Sequence, residues 1–255
     1  MPSTMKISNN KAIFTGNYRQ FYTYQNSFTF GFKNKKKNST FISTELSGKS
    51  EEQKEKYIST ATSRAKNQIK RLIHGNEDVH PEKPVFLTLT FKENIDNVKE
   101  GNRQFTMFIK RMNRRIKKTL RYVAVHEFQK RGALHYHMII FNLPFIEHKE
   151  ISKIWRNGMI DIELVNNEGI SNYLSKYISK SFKDIRMKGT KRYFHSLENH
   201  VTLERDNDRC KYEQSIMLDK DLLQEPKTYK YTDYTGQPNS VTVAEYKIGR
   251  THPVA

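Results

Sequence analysis

From Val85 to Phe182 the apolar residues of this chain keep changing their spacing, and that alternation limits the folds open to it. Val85–Phe91 (VFLTLTF) is a short apolar run of buried-strand length. Residues 99–120 instead carry Phe105, Phe108, Ile109, Met112, Ile116 and Leu120 at helical spacing, so these line up along one side. Tyr122–Glu127 and Leu134–Phe141 return to strand patterns, with Arg131–Gly132 in the turn expected between them, as in a hairpin. His148–Trp155 reads as a short helix, Met159–Val165 as a strand and Glu168–Phe182 as a helix. The order strand, helix, strand, strand, helix, strand, helix implies an α+β fold, a central antiparallel β-sheet flanked by α-helices.

The flanks are less regular. Residues 18–32 (YRQFYTYQNSFTFGF), rich in aromatic residues and Thr, read as a strand or hairpin, and 33–37 (KNKKK) as a basic loop. Most of 44–73 reads as a helix, acidic early and basic late as the helix dipole prefers. Gly75–Pro84, with two prolines, reads as a linker. Beyond Arg186, Tyr193–Leu203 has room for a strand, and strand patterns recur at 228–232 and 241–248 around a Gly-Gln-Pro turn. The expected organisation is an N-terminal extension (1–80), a core (81–205) and a C-terminal extension (206–255).

Lys and Arg total 45 against 27 acidic residues, a net charge of +18, in a chain that also has 14 Tyr and 15 Phe. A foldable chain with that excess suits a polyanionic partner, most commonly nucleic acid. Arg111, Arg114, Arg115, Lys117 and Lys118 crowd the C-terminal half of the 99–120 helix. Two readings stand there: a contact for DNA phosphates, or a solvated face whose cations suit a helix C-terminus. Cys210 is the only cysteine, which excludes an internal disulfide framework and a Cys-rich zinc site. Met1–Asn10 carries no apolar secretory core, and no run approaches the ~18 apolar residues of a membrane span. The expectation is a cytoplasmic protein with no membrane partner.

The chemistry-bearing pattern is His135–Tyr136–His137. Residues two apart in a strand face the same way, so both imidazoles can share one divalent ion. Glu127 closes the preceding strand, and a short hairpin brings it beside them. Two imidazoles and a carboxylate leave positions open on an octahedral ion and suit Mn²⁺ or Mg²⁺. His126 faces the opposite way and is not expected as a ligand. Taken alone, His-x-His equally describes two histidines satisfied by neighbours on a half-exposed strand. A second pattern runs Tyr173-Leu-Ser-Lys176-Tyr177-Ile-Ser-Lys180. On a helix Tyr173 and Tyr177 stand one turn apart, as do Lys176 and Lys180. A phenol attacks a phosphate only with help from a metal and nearby cations. Aromatic residues at this spacing are also common as packing.

FLTLTF (86–91), GALHYHMIIF (132–141) and YLSKYISK (173–180), in that order, resemble the three motifs of HUH endonucleases. The closest likeness is to the rolling-circle replication initiators of plasmids and small single-stranded DNA phages. It covers about 95 residues, Val85 to Lys180. The resemblance implies His135 and His137 as metal ligands, with Glu127 at the acidic position of some members. It implies Tyr177 as first nucleophile, Tyr173 as the paired tyrosine, and Lys176 and Lys180 as the lysines beside them. It further implies nicking and rejoining of single-stranded origin or hairpin DNA through a covalent 5′-phosphotyrosine. A host helicase and DNA polymerase would be needed, because Ser47-Gly-Lys-Ser50 lacks the earlier glycine of a nucleotide-binding loop, Ser43 standing there. A conjugative relaxase or transposase would use the same chemistry. A non-catalytic DNA-binding protein with structural histidines is the reading from another class, and a zinc hydrolase lacks a convincing third nitrogen ligand.

Overall fold

The computed structural model describes residues 6–30, 48–129, 131–165, 170–187, 189–198, 200–233 and 235–249, and within 170–175 the side chain of Leu174 alone. The basic run 33–37 lies outside these residues, as does the Tyr173 side chain. The chain forms two compact units, residues 39–199 and residues 1–38 with 200–255.

In the 39–199 unit, α1 (Glu51–His74) comes first. Ser50 caps it: its hydroxyl accepts from the Gln53 amide, and the Gln53 side chain accepts from the Ser50 amide. The serine of the Ser-Gly-Lys-Ser run therefore starts a helix. Next come β3 (Val85–Thr90), α2 (Val98–Ile116), β4 (Tyr122–Phe128), β5 (Leu134–Ile140), α3 (His148–Trp155), β6 (Ile160–Leu164), α4 (Ile170–Lys183) and β7 (Tyr193–His195). Asn97 caps α2 by accepting from the amides of Lys99 and Glu100. The helix stops at Ile116, short of the expected 120. Lys117 turns left-handed at φ 54°, and Asn113 Oδ1 accepts from the Leu120 amide. Leu120 is buried on the approach to β4, outside the helix.

The five strands form an antiparallel sheet in the order β6-β3-β5-β4-β7. Its two faces bury different residues, as period-two alternation requires. One face packs Leu87, Leu89, Ala124, Tyr136, Met138 and Ile140 with Phe105, Phe108 and Met112 of α2 and Ile151 and Trp155 of α3. The other packs Phe86, Val123, Val125 and Ile139 with Ala65, Ile69, Leu72 and Ile73 of α1 and Leu174 and Ile178 of α4. This is the α+β architecture read from the sequence, a central antiparallel sheet between helices.

The other unit contains β1 (Lys6–Thr15), β2 (Tyr18–Phe30), β8 (Thr202–Glu204), α5 (Asn207–Ser215), β9 (Leu222–Thr232) and β10 (Pro238–Lys247). Its antiparallel sheet runs β8-β1-β2-β10-β9. A buried network, Tyr18 and Gln20 donating to Glu245 Oε1 at 2.5 and 2.7 Å, ties β2 to β10. The division therefore differs from 1–80, 81–205 and 206–255. The apolar stripe of α1 packs on the central sheet, which moves that helix out of the N-terminal segment. The second strand, β2, pairs with the last, β10, across more than 200 residues, a partnership with no local signal.

Candidate active site

The central strand β5 places His135, His137 and Ile139 on the face toward α1 and α4, because Leu134, Tyr136, Met138 and Ile140 fill the opposite core. Tyr136 fixes this orientation. Its ring stacks on Phe105 at 4.6 Å and its hydroxyl donates to Asn102 Oδ1 at 2.6 Å. Antiparallel register sets Glu127 directly opposite His135 on β4, and Thr88 opposite His137 on β3. His126 faces the other core, against Tyr136 and Phe194, as its position predicts.

These side chains touch one another. Glu127 Oε1 lies 3.2 Å from His137 Nε2, and Thr88 Oγ1 lies 3.1 Å from His137 Nδ1. Lys180 of α4 brings its ammonium to 3.1 Å from Glu127 Oε2. Glu127, His135 and His137 are 6%, 5% and 5% exposed. Burial pushes the His135 imidazolium down to about 4, helped by the neighbouring His137. Burial likewise lowers His137, against the pull of Glu127. Burial alone would raise the Glu127 carboxyl, but hydrogen bonds from His137 and Lys180 outweigh it and hold the carboxyl below its ordinary value. Near neutral pH the site therefore presents two uncharged imidazoles and an ionised carboxylate.

That is the protonation state a divalent cation requires of its ligands. Among the described residues His135 Nε2 is buried with no hydrogen-bond partner, an arrangement that is costly without a ligand. Thr88 can donate to Nδ1, which leaves Nε2–H to donate to Glu127, or accept from Nδ1–H, which would free the Nε2 lone pair for a cation placed between His137 and Glu127. Among the described residues no three His, Cys, Asp or Glu side chains are arranged closely enough to hold a metal ion together. The three donors stand side by side, with the Lys180 ammonium supplying positive charge to the carboxylate.

Tyr177 lies over this group. Its ring stacks on the His137 imidazole with centroids 3.6 Å apart and planes within 15°, and it packs near Phe86 at 6.2 Å. The ammonium groups of Lys176 and Lys180 sit 4.8 and 5.5 Å from the ring centre. The structure thus gathers Glu127, His135, His137, Lys176, Tyr177 and Lys180 on one face.

The five basic residues of the α2 region are not gathered there. Helix α2 packs on the opposite side of the sheet, and much of its charge is engaged. Arg111 donates to the Ile154 and Trp155 carbonyls, Arg115 pairs with Glu150, and Lys118 with Glu82. Arg114 and Lys117 are exposed. Sequence reading missed Thr88 and Phe86 as neighbours of His137. Their alternation in the β3 run was visible, but their partner across the sheet was not.

Residues 84–182 match the family model of replication-associated protein ORF2/G2P, a span that holds every residue of the gathered site. The central segment is similar to replication-associated proteins. The phasyl DNA replicon protein arp of Escherichia coli is 30% identical, over 40% of this chain and 47% of its own length. The chain thus spans about half the length of that relative. No solved structure matches the chain. Among the described residues no helix is long and apolar enough to cross a membrane.

Proposed function

We propose that this protein initiates rolling-circle DNA replication as an HUH endonuclease, nicking and rejoining single-stranded origin DNA through Tyr177. The observation that carries the reading is the placement of the Tyr177 ring against His137, within the group formed by Glu127, His135 and Lys180. The family match and the replicon relative support the replication role.

In this reading His135, His137 and Glu127 hold Mn²⁺ or Mg²⁺, which when bound polarises the scissile phosphate. Tyr177 loses its phenolic proton and forms a bond to phosphorus. The bond from phosphorus to the 3′ oxygen breaks, and that oxygen takes up a proton as a free 3′-hydroxyl. Lys176 and Lys180 balance charge on the phosphate oxygens during the exchange. One phosphoester replaces another, so the strand is rejoined by the reverse step without ATP. Tyr173, one helical turn before Tyr177, would serve a second cut. The free 3′ end would then pass to a host polymerase, with a host helicase opening the duplex.

The test is incubation of the full chain with labelled single-stranded oligonucleotides spanning candidate origins, with and without manganese. An SDS-resistant protein–DNA adduct mapped by mass spectrometry to the 173–180 peptide is the expected result. Tight binding without an adduct across varied origins and metals would instead make this a DNA-binding protein whose stacked Tyr177 and His137 are packing. The preferred nick sequence would separate an initiator from a relaxase or transposase.

A further inference from the structure

The cations at the end of the sheet next to His135 have no role in the chemistry above. His135 forms part of the wall of a hollow of about 850 Å³. The rest of the wall comes from the end of β3, the turn between β4 and β5, and the segment from Ser152 to Met159. Its floor is fixed in place. Trp155 Nε1 donates to the Thr90 carbonyl at 2.9 Å, and the Lys92 amide donates to the Asn157 carbonyl at 2.7 Å. Gly158 approaches β3 so closely that a Cβ would lie 2.2 Å from the Thr90 oxygen. Lys92, Arg131, Lys153 and Arg156 line this hollow, all exposed, and among the described residues no acidic side chain joins its lining.

A second hollow of about 370 Å³ opens between α2 and α3, with Arg111, Arg114 and Arg115 in its wall. Lys153 and Arg156 belong to both hollows. The cationic surface therefore continues from His135 around the end of the sheet to the helices of the far face. Among the described residues Glu150, paired with Arg115, is the one acidic residue lining either hollow. The Arg111 guanidinium is held by the last carbonyls of α3, which fixes its position on this route.

We propose that this tract is the path of the single DNA strand leaving the catalytic centre, with Lys153 and Arg156 at the bend holding its phosphates. The inference rests on the reading that the site takes single-stranded DNA. A duplex is stiff over ~150 base pairs and resists so sharp a turn, whereas a single strand follows it readily. Met159, 74% exposed at the mouth of the first hollow, offers an apolar flank to a base.

The experiment measures binding of the full chain to a fluorescein-labelled 20-nucleotide deoxythymidine strand by anisotropy, without divalent metal, over a series of salt concentrations. Lys153→Ala/Arg156→Ala should weaken binding at least ~10-fold at low salt. Losing two phosphate contacts should lower the slope of log affinity against log salt by roughly 1.4. Lys153→Arg/Arg156→Lys, which keeps the charge, should stay within about threefold of wild type. Lys56→Ala/Arg64→Ala, an equal charge loss on α1, should also stay within about threefold. Equal losses for both alanine pairs would mean net charge alone is sensed, and no loss for the first pair would mean the strand runs elsewhere. Either result, or absence of wild-type binding, overturns the path. A chain that binds along this tract yet never forms an adduct would lose the proposed catalysis and keep the path.

Discussion

Tyr177 has two separable parts, a ring that packs and a hydroxyl that is proposed to react. The ring stacks on His137 at 3.6 Å and is half-buried against the face shared with Phe86. The hydroxyl has no hydrogen-bond partner among the described residues. Tyr177→Phe keeps the ring and removes the oxygen, so stability should change by no more than ~0.5 kcal/mol. That corresponds to about 1–2 °C in thermal midpoint for a unit of this size. Tyr177→Ala removes the ring as well. A fully buried Phe→Ala costs about 3–5 kcal/mol, so a half-buried ring should cost about 2 kcal/mol. Losing the stack adds about 0.5–1.5 kcal/mol, for a total of about 2.5–3.5 kcal/mol and a shift of roughly 5–14 °C. Covalent adduct formation on a labelled origin strand should vanish in both variants. Calorimetry and a denaturing gel on the same preparations give both readouts. A Tyr177→Phe protein that is stable and still forms adduct at wild-type yield would refute Tyr177 as the nucleophile. One that loses as much stability as Tyr177→Ala would show that the hydroxyl is structural.

Further expectations follow from the same geometry. Glu127→Gln keeps the shape and removes the charge, so Mn²⁺ affinity measured by titration calorimetry should fall at least ~10-fold; unchanged affinity would exclude Glu127 as a ligand. Gly158→Ala forces a Cβ against the Thr90 carbonyl and should destabilise by about 3 kcal/mol, read as a lower urea midpoint. His126 is fully buried, and burial pushes its imidazolium down to about 4. The unfolded chain binds that proton from about pH 6.5 downward, so stability is complete above 6.5 and declines toward pH 4, by at most ~3 kcal/mol from this residue. His126→Gln should flatten that decline in urea melts at pH 7 and pH 4.5.

The central unit was legible because its segments switch between the two periods that sequence can express. The alternation 134–140 told which face His135 and His137 share, and the stripe of 105, 108 and 112 told which side of α2 is buried. Thr88 was not legible as a neighbour of His137, since cross-strand register depends on a pairing 49 residues away in sequence. Helix α5 escaped notice because it has no apolar stripe, with Cys210 as its one buried residue among those described. The charges on α2 looked alike in sequence. Only their surroundings separate Arg111, seated on carbonyls, and Arg115, facing Glu150, from the exposed Arg114. Lys153 and Arg156 drew no attention because they fall three apart in a short helix end, and their company comes from β3 and the β4–β5 turn.

The pairing of β2 with β10 has a consequence for synthesis on the ribosome. A sheet that joins the first strands to the last cannot close until residue 247 has emerged, whereas residues 39–199 have all their strand partners well before that. The segment bearing the histidines and Tyr177 can therefore reach its native arrangement first, while the leading hairpin waits with an open edge for its late neighbour.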